Sequence, residues 1–208
     1  MARRTKLEAA ETRDSLLDAA EQVFLERGYA RSTLEAIARR AGATRGAIYW
    51  HFRDKADVLD AMVTRGRLPL QELICGIGDS PPEGFLNTLH TLCLDALLEL
   101  ARDRRRQRVY AILLLRLEDG SSSPETQAYV RRSLEDARAH LEQLFDRARA
   151  AGEIDPDLEP RTAALSLHAY MLGIYCSWLR APTSFSLEGQ AQAMIKLFFQ
   201  GISSNNHA

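Results

Sequence analysis

Residues 37–52 read IARRAGATRGAIYWHF, two short helical patterns joined at a glycine. Ile37 must plug a small core, Ala38 must be small where two helices cross, and Gly42 must turn the chain, often with φ > 0. Thr44 stands where a capping hydroxyl can start the second helix. On a wheel of about 100° per residue, Ile48 and Phe52 point the same way. Gly46 and Trp50 lie roughly opposite, and Arg45 and Tyr49 share a flank. Ile48 and Phe52 are therefore assigned to the core and the other rings to the surface.

That surface has the chemistry of a DNA reader. Gly46 has no side chain, so the helix can lie close to a groove. Arg45 can offer two parallel hydrogen bonds to a guanine edge. Tyr49, Trp50 and His51 carry O–H and N–H donors on rigid rings, suited to holding phosphates in register. Lys55, at the start of the next helix, adds a charge to backbone amides that already favour anions. An ordinary helical hairpin exposing a Tyr and a Trp is the other reading of the same residues. Residues 27–55 hold seven basic side chains against two acidic ones, Glu35 and Asp54, although the whole chain of 208 residues has a net charge of −1. A local positive excess suits an anionic partner.

Outward from this motif the pattern is helical throughout. Residues 6–27 carry Leu16, Leu17, Ala20, Val23 and Phe24 on one stripe, and Gly28 falls where a left-handed cap belongs. Ser32 or Thr33 can cap a helix over 34–41, and Ser32 with Glu35 has capping-box spacing. A fourth helix opens at Asp54 or Lys55 and continues toward Ile74. GIGDSPPEG at 76–84 is the clearest linker. Helical spacing resumes over 85–100, 109–117, 125–151, 160–179 and 187–199. With only 12 Gly and 7 Pro and almost no strand-like alternation, the chain is predicted to be all-α, with about nine helices. Two domains are expected: 1–58, a three-helix helix-turn-helix domain, and 59–208, a second helical domain.

Other classes find little support. The chain has no Gly-rich phosphate loop, GxSxG or HExxH, and its five His are scattered, so no catalytic, metal or cofactor site is predicted. Cys75, Cys93 and Cys176 are far apart among apolar residues and read as buried small hydrophobes in a reducing cytoplasm. The N-terminal MARRTKLEAAETRD has no apolar core of a signal peptide, and the tight apolar run at 111–115 is too short to span a bilayer. Arg3, Arg4 and Lys6 read either as phosphate contacts or as a basic tail. The run RRRQR at 104–108 reads as a solvated face.

Residues 12–60, TRDSLLDAAEQVFLERGYARSTLEAIARRAGATRGAIYWHFRDKADVLD, strongly resemble the DNA-binding domain of the TetR family of transcriptional repressors. MARRTKLEAAETRD and WLRAPTSFSL (178–187) look like the corresponding stretches of AcrR-like and TtgR-like regulators of multidrug efflux pumps. The resemblance implies that Arg45, Gly46 and Tyr49 lie nearest the bases. It places Thr33, Thr44, Tyr49, Trp50, His51 and Lys55 at the phosphate backbone of double-stranded operator DNA. It also implies a homodimer built on the last two helices. Tyr175 and Leu179 on one and Ala191, Met194, Ile195 and Phe198 on the other offer apolar stripes for it, and two-fold symmetry suits a pseudopalindromic operator.

The family likeness further implies a pocket for a bulky hydrophobic inducer in the second domain. Candidate lining is Leu89, Leu92, Cys93, Tyr110, Leu113, Leu114, Leu117, Leu134, His168, Met171, Leu172 and Cys176, with plain core packing the alternative for each Leu and Met. Tyr110 and His168 put polar tips on apolar faces, as a ligand-orienting group does; His168 reads equally as a satisfied core histidine. Where AcrR-like relatives carry His-Lys-Cys-Glu, this chain has Leu-Arg-Leu-Glu at 115–118, a less polar lining. The implied role is a cytoplasmic repressor, on the nucleoid when bound to its operator, released by an inducer, with the helix over 55–74 as the lever. A DNA-binding activator or global regulator with the same reader and an unrelated ligand stays open.

Overall fold

A computed structural model describes residues 2–65, 69–77, 84–116 and 124–203. Among these there are ten α-helices, one π-helical turn and no strand: α1 (Ala2–Arg27), α2 (Leu34–Arg40), α3 (Arg45–His51), α4 (Lys55–Arg65), α5 (Pro69–Ile77), α6 (Phe85–Arg102), α7 (Arg104–Ala111), the π turn (Ile112–Arg116), α8 (Pro124–Ala150), α9 (Pro160–Arg180) and α10 (Leu187–Ile202). The all-α expectation holds, with one helix more than foreseen. Of the predicted rod over 55–74, residues 55–65 lie in α4 and 69–74 in α5, and residues 66–68 lie outside the described residues. Pro69 stands at the first position of α5, where the N–H it lacks needs no partner.

The chain divides into two compact units, Met1–Gly66 with Arg108–Ala128, and Arg67–Gln107 with Tyr129–Ala208. The first unit thus runs past residue 58 and takes in a later segment. In it, α2, α3, α4 and the π turn all pack on α1. Leu16, Leu17, Ala20, Val23 and Phe24 of α1 are buried with Ile37, Ile48, Phe52, Leu59 and Met62, and Ile112 of the π turn joins the same cluster. A π turn carries an extra residue per turn, a local irregularity that sequence periodicity does not signal.

In the second unit α10 lies along α6, and α5 and α9 pack on α6 and α10 respectively. Phe85 and Phe145 meet edge to face with centroids 5.6 Å apart, joining α6 to α8. The Leu86 N–H donates to the Glu153 carboxylate at 3.0 Å, a negative charge at the start of α6 where unpaired amides favour one. The run RRRQR does not behave as one solvated face. Gln107 donates to the Leu100 and Ala101 carbonyls at 2.9 and 3.0 Å, closing the end of α6. Arg108 turns inward to the buried Glu21 carboxylate at 3.5 Å.

Candidate nucleic-acid interface

Two threonines and a glycine shape the motif. Thr33 caps α2 by accepting the Ala36 N–H at 3.1 Å, and Thr44 caps α3 by accepting the Ala47 N–H at 3.1 Å. The foreseen Ser32–Glu35 capping box does not form, because the Ser32 hydroxyl is buried and donates back to the Gly28 carbonyl at 2.7 Å. Between the helices Gly42 has φ +67. Its N–H reaches the Arg39 carbonyl at 3.3 Å and the Ala43 N–H reaches the Ala38 carbonyl at 2.9 Å. That is a Schellman ending, which needs a left-handed residue and hence glycine at 42.

Ile37, Ala38 and Ile48 are buried, and so is Phe52, although the helix has ended before it and Phe52 is extended at φ −140. Opposite them the ring surface is open: Trp50 is 73% exposed and Tyr49 45%. Trp50 meets His51 edge-on at 4.5 Å. A Cβ added at Gly46 would find only the Thr44 hydroxyl, at 3.9 Å, so nothing inside the chain requires glycine there.

Arg45 lies 5.5 Å over the Tyr49 ring, a cation–π pair along one flank. Across the turn, Glu35 of α2 accepts the Tyr49 hydroxyl at 2.9 Å and stands 3.5 Å from the Arg45 Nε. The Glu35 carboxyl is held below its ordinary range, first by its own backbone N–H and then by Tyr49, with Arg45 adding to them. Burial, then the nearby Arg13 charge, lowers the His51 pKa below its usual 6.5, so at neutral pH the ring is an N–H donor rather than a cation. Arg13 itself lies 5.2 Å over the Phe52 ring. Sequence reading missed both Glu35 and Arg13 as neighbours of this surface, since each comes from another helix.

Lys55, expected at a phosphate, is also held by its own chain. Its ammonium donates to the Tyr29 carbonyl at 2.7 Å and the Ala30 carbonyl at 3.0 Å, and lies 4.4 Å over the Tyr29 ring. Desolvation lowers its pKa. Two of its three donors thus tie the loop before α2 to the start of α4.

Two family models cover most of the chain. Residues 16–62 match that of bacterial regulatory proteins, tetR family, and residues 85–203 match the C-terminal region of MAATS-type transcriptional repressors. The chain belongs to the tetR family. Among its relatives, the HTH-type transcriptional repressor BepR of Brucella suis biovar 1 is 36% identical over 96% of each chain. The crystal structure of NalD, the secondary repressor of the MexAB-OprM multidrug efflux pump in Pseudomonas aeruginosa, is 34% identical, covers 95% of this chain and 99% of its own, and superposes with a TM-score of 0.83. SmeT in complex with triclosan is 32% identical over 94% of this chain and 93% of its own, with a TM-score of 0.81; SmeT represses the Stenotrophomonas maltophilia pump SmeDEF.

In this tetR-family chain the foreseen pocket residues fall in both compact units. Leu89, Cys93 and Met171 are buried in the second unit, where Leu92, Leu134 and His168 are half-buried. Burial pushes the Cys93 thiol up to about 12, so it stays protonated. The His168 pKa lies below its usual value, lowered first by burial and then by the Arg138 charge. Tyr110, Leu113 and Leu114 belong to the first unit, and the half-buried Leu113 packs on the cluster around Phe24. Leu117 lies outside the described residues. Leu172 and Cys176 share a half-exposed stripe of α9 with Leu165, which is 42% exposed, and with Leu179.

The foreseen dimer residues also divide. Ala191 and Ile195 are fully buried in their own chain, on the α10 face that lies along α6, and Tyr175 is buried too. They supply no free surface. The open apolar flank of α10 is Leu197, 70% exposed, beside the half-buried Met194 and Phe198. Phe198 stacks on Tyr170 at 5.4 Å, and the Tyr170 hydroxyl donates to the Met194 carbonyl at 2.8 Å, so α9 and α10 hold each other.

Proposed function

We propose that this chain is a transcriptional repressor that binds a pseudopalindromic operator as a homodimer, is released by a hydrophobic small molecule, and controls a multidrug efflux pump operon. The observation that carries the reading is the second helix of the motif. Ile48 and Phe52 are buried while Arg45, Tyr49 and Trp50 are displayed around a Gly46 that the fold does not itself require. A flat helix face with a guanidinium, a phenol and an indole suits a major groove and its phosphates. The named roles of NalD and SmeT support a pump operon as the target.

In this reading Arg45 meets a base edge, with Gly46 and Tyr49 beside it, and Thr33, Thr44, Trp50 and His51 line phosphates. Lys55 orders the loop beneath them, with one donor left for a phosphate. Arg45→Ala relaxes base preference by about 1–3 kcal/mol. Affinities for single-base variants of the bound DNA measure this; equal losses on matched and random DNA would remove Arg45 from the base contacts.

The dimer forms through the open apolar flanks of α9 and α10: Leu165, Leu172, Cys176 and Leu179 on one, Met194, Leu197 and Phe198 on the other. Leu197→Arg places a charge where the chain's own fold exposes the side chain. Sedimentation at micromolar concentration then shows monomer, with the helical circular dichroism unchanged. An unaltered dimer mass rules this flank out.

The inducer occupies the second unit, among Leu89, Leu92, Cys93, Leu134, His168 and Met171. Binding one subunit geometry better than another shifts the population between DNA-competent and released dimers. A hundredfold loss of operator affinity needs about 2.7 kcal/mol of differential binding. A mobility-shift titration on the DNA just upstream of the chain's own gene, with and without triclosan, tests both halves. Operator affinity unmoved by triclosan and by a panel of other hydrophobic drugs rejects induction, and a shift identical on random DNA rejects the operator.

A further inference from the structure

We infer that Glu35 is a specificity-determining residue of the reader: its carboxylate positions Arg45 and Tyr49 and opposes binding to DNA of the wrong sequence. The inference rests on the DNA-binding reading above.

Between residues 27 and 55 the acids are Glu35 and Asp54. The Asp54 carboxylate accepts the Asp57 N–H at 2.9 Å and so serves the start of α4. Glu35 also lies at a helix start, beside its own backbone N–H and the Thr33 cap, but its carboxylate serves a second helix as well. From the first turn of α2 it reaches across to α3, accepts the Tyr49 hydroxyl at 2.9 Å and stands 3.5 Å from the Arg45 Nε, while the Arg45 guanidinium lies over the Tyr49 ring. One negative charge therefore holds two side chains assigned to base edges. Arg45 remains 75% exposed, so this is a loose hold at the surface.

On random DNA Arg45 finds only phosphate, exchanging one anion for another, and the remaining carboxylate faces a polyanion. On a matched site Arg45 gains two directed hydrogen bonds, and Tyr49, already positioned, gains its contact without further ordering. Glu35 therefore subtracts more from non-specific than from specific affinity, and specificity is the difference between the two.

Glu35→Gln tests this, because the amide oxygen still accepts from Tyr49 but carries no charge. Full-length wild type and variant are titrated by fluorescence anisotropy against two duplexes over a series of salt concentrations. One carries the DNA upstream of the chain's own gene; the other is a scrambled duplex of equal length and composition. For Glu35→Gln the scrambled duplex binds about tenfold tighter and the upstream duplex less than about threefold tighter, and the salt slope on scrambled DNA steepens by about one. A Glu35→Gln discrimination ratio within about twofold of wild type, or parallel losses on both duplexes with a lowered melting temperature, overturns the inference alone. A wild type that binds neither duplex overturns the DNA reading itself.

Discussion

Phe52→Ala lowers the stability of the first unit by about 3–5 kcal/mol, whereas Trp50→Ala, two residues away, changes it by no more than about 0.5. Phe52 is 1% exposed and lies with Ile37, Ile48, Val58 and Leu59 in the cluster around α1, so truncation leaves a cavity that rigid helices cannot close. Trp50 is 73% exposed and its recorded ring contact is the neighbouring His51. Its removal takes little apolar surface out of the protein interior. Urea unfolding followed by circular dichroism separates the two variants. DNA affinity should reverse the order once the folded fraction is accounted for, since Trp50 belongs to the proposed phosphate contacts. Equal destabilisation by both substitutions would mean that the rings are not divided between core and surface as the burial shows.

The second large effect lies at Glu21. Its side chain is fully buried, yet it takes Arg65 from the end of α4 and Arg108 from α7. Arg65 also meets Asp18 at 2.9 Å and Asp14 at 3.6 Å along the same helix. Glu21→Ala removes the central anion and leaves the Arg108 guanidinium half-buried beside a small apolar gap. Breaking a buried ion pair from one side costs about 3–5 kcal/mol. Asp18 and Asp14 remain beside Arg65, which places this variant near the lower figure. The melting temperature falls on the order of 10 °C. Arg108→Leu added to Glu21→Ala recovers part of the loss by removing the stranded charge, and a double-mutant cycle measures that coupling. A single-variant loss below about 1 kcal/mol would show the cluster to be solvated rather than buried. Arg65 and Arg108 stand beside two of the points where the chain passes from one compact unit to the other. Both are anchored on one carboxylate of α1.

Much of the motif was legible from spacing. Gly42 could be placed because a tight turn between two helices demands a left-handed residue, and Ile48 because an isolated apolar residue on a short helix must meet the core. Thr44 followed from the cap that the next helix needs. At Lys55 the spacing shows only a cation near a basic surface, while the carbonyls that also hold it lie 25 and 26 residues earlier. Ser32 has cap spacing to Glu35, but its hydroxyl is drawn inward to the end of α1.

By itself the sequence determined the helical class, the helix-turn-helix and the division of its rings, because those follow from period, caps and turn residues acting within a few positions of one another. Tertiary structure alone decided what covers each face. An apolar stripe says that a helix must be buried and not by whom, and α10 spends Ala191 and Ile195 on its own α6, leaving Leu197 open. Likewise a carboxylate in a basic region could have been an ion pair anywhere. Only the crossing of α2 over α3 brings Glu35 to Arg45 and Tyr49, because that contact is fixed by the angle between two helices and not by spacing along either.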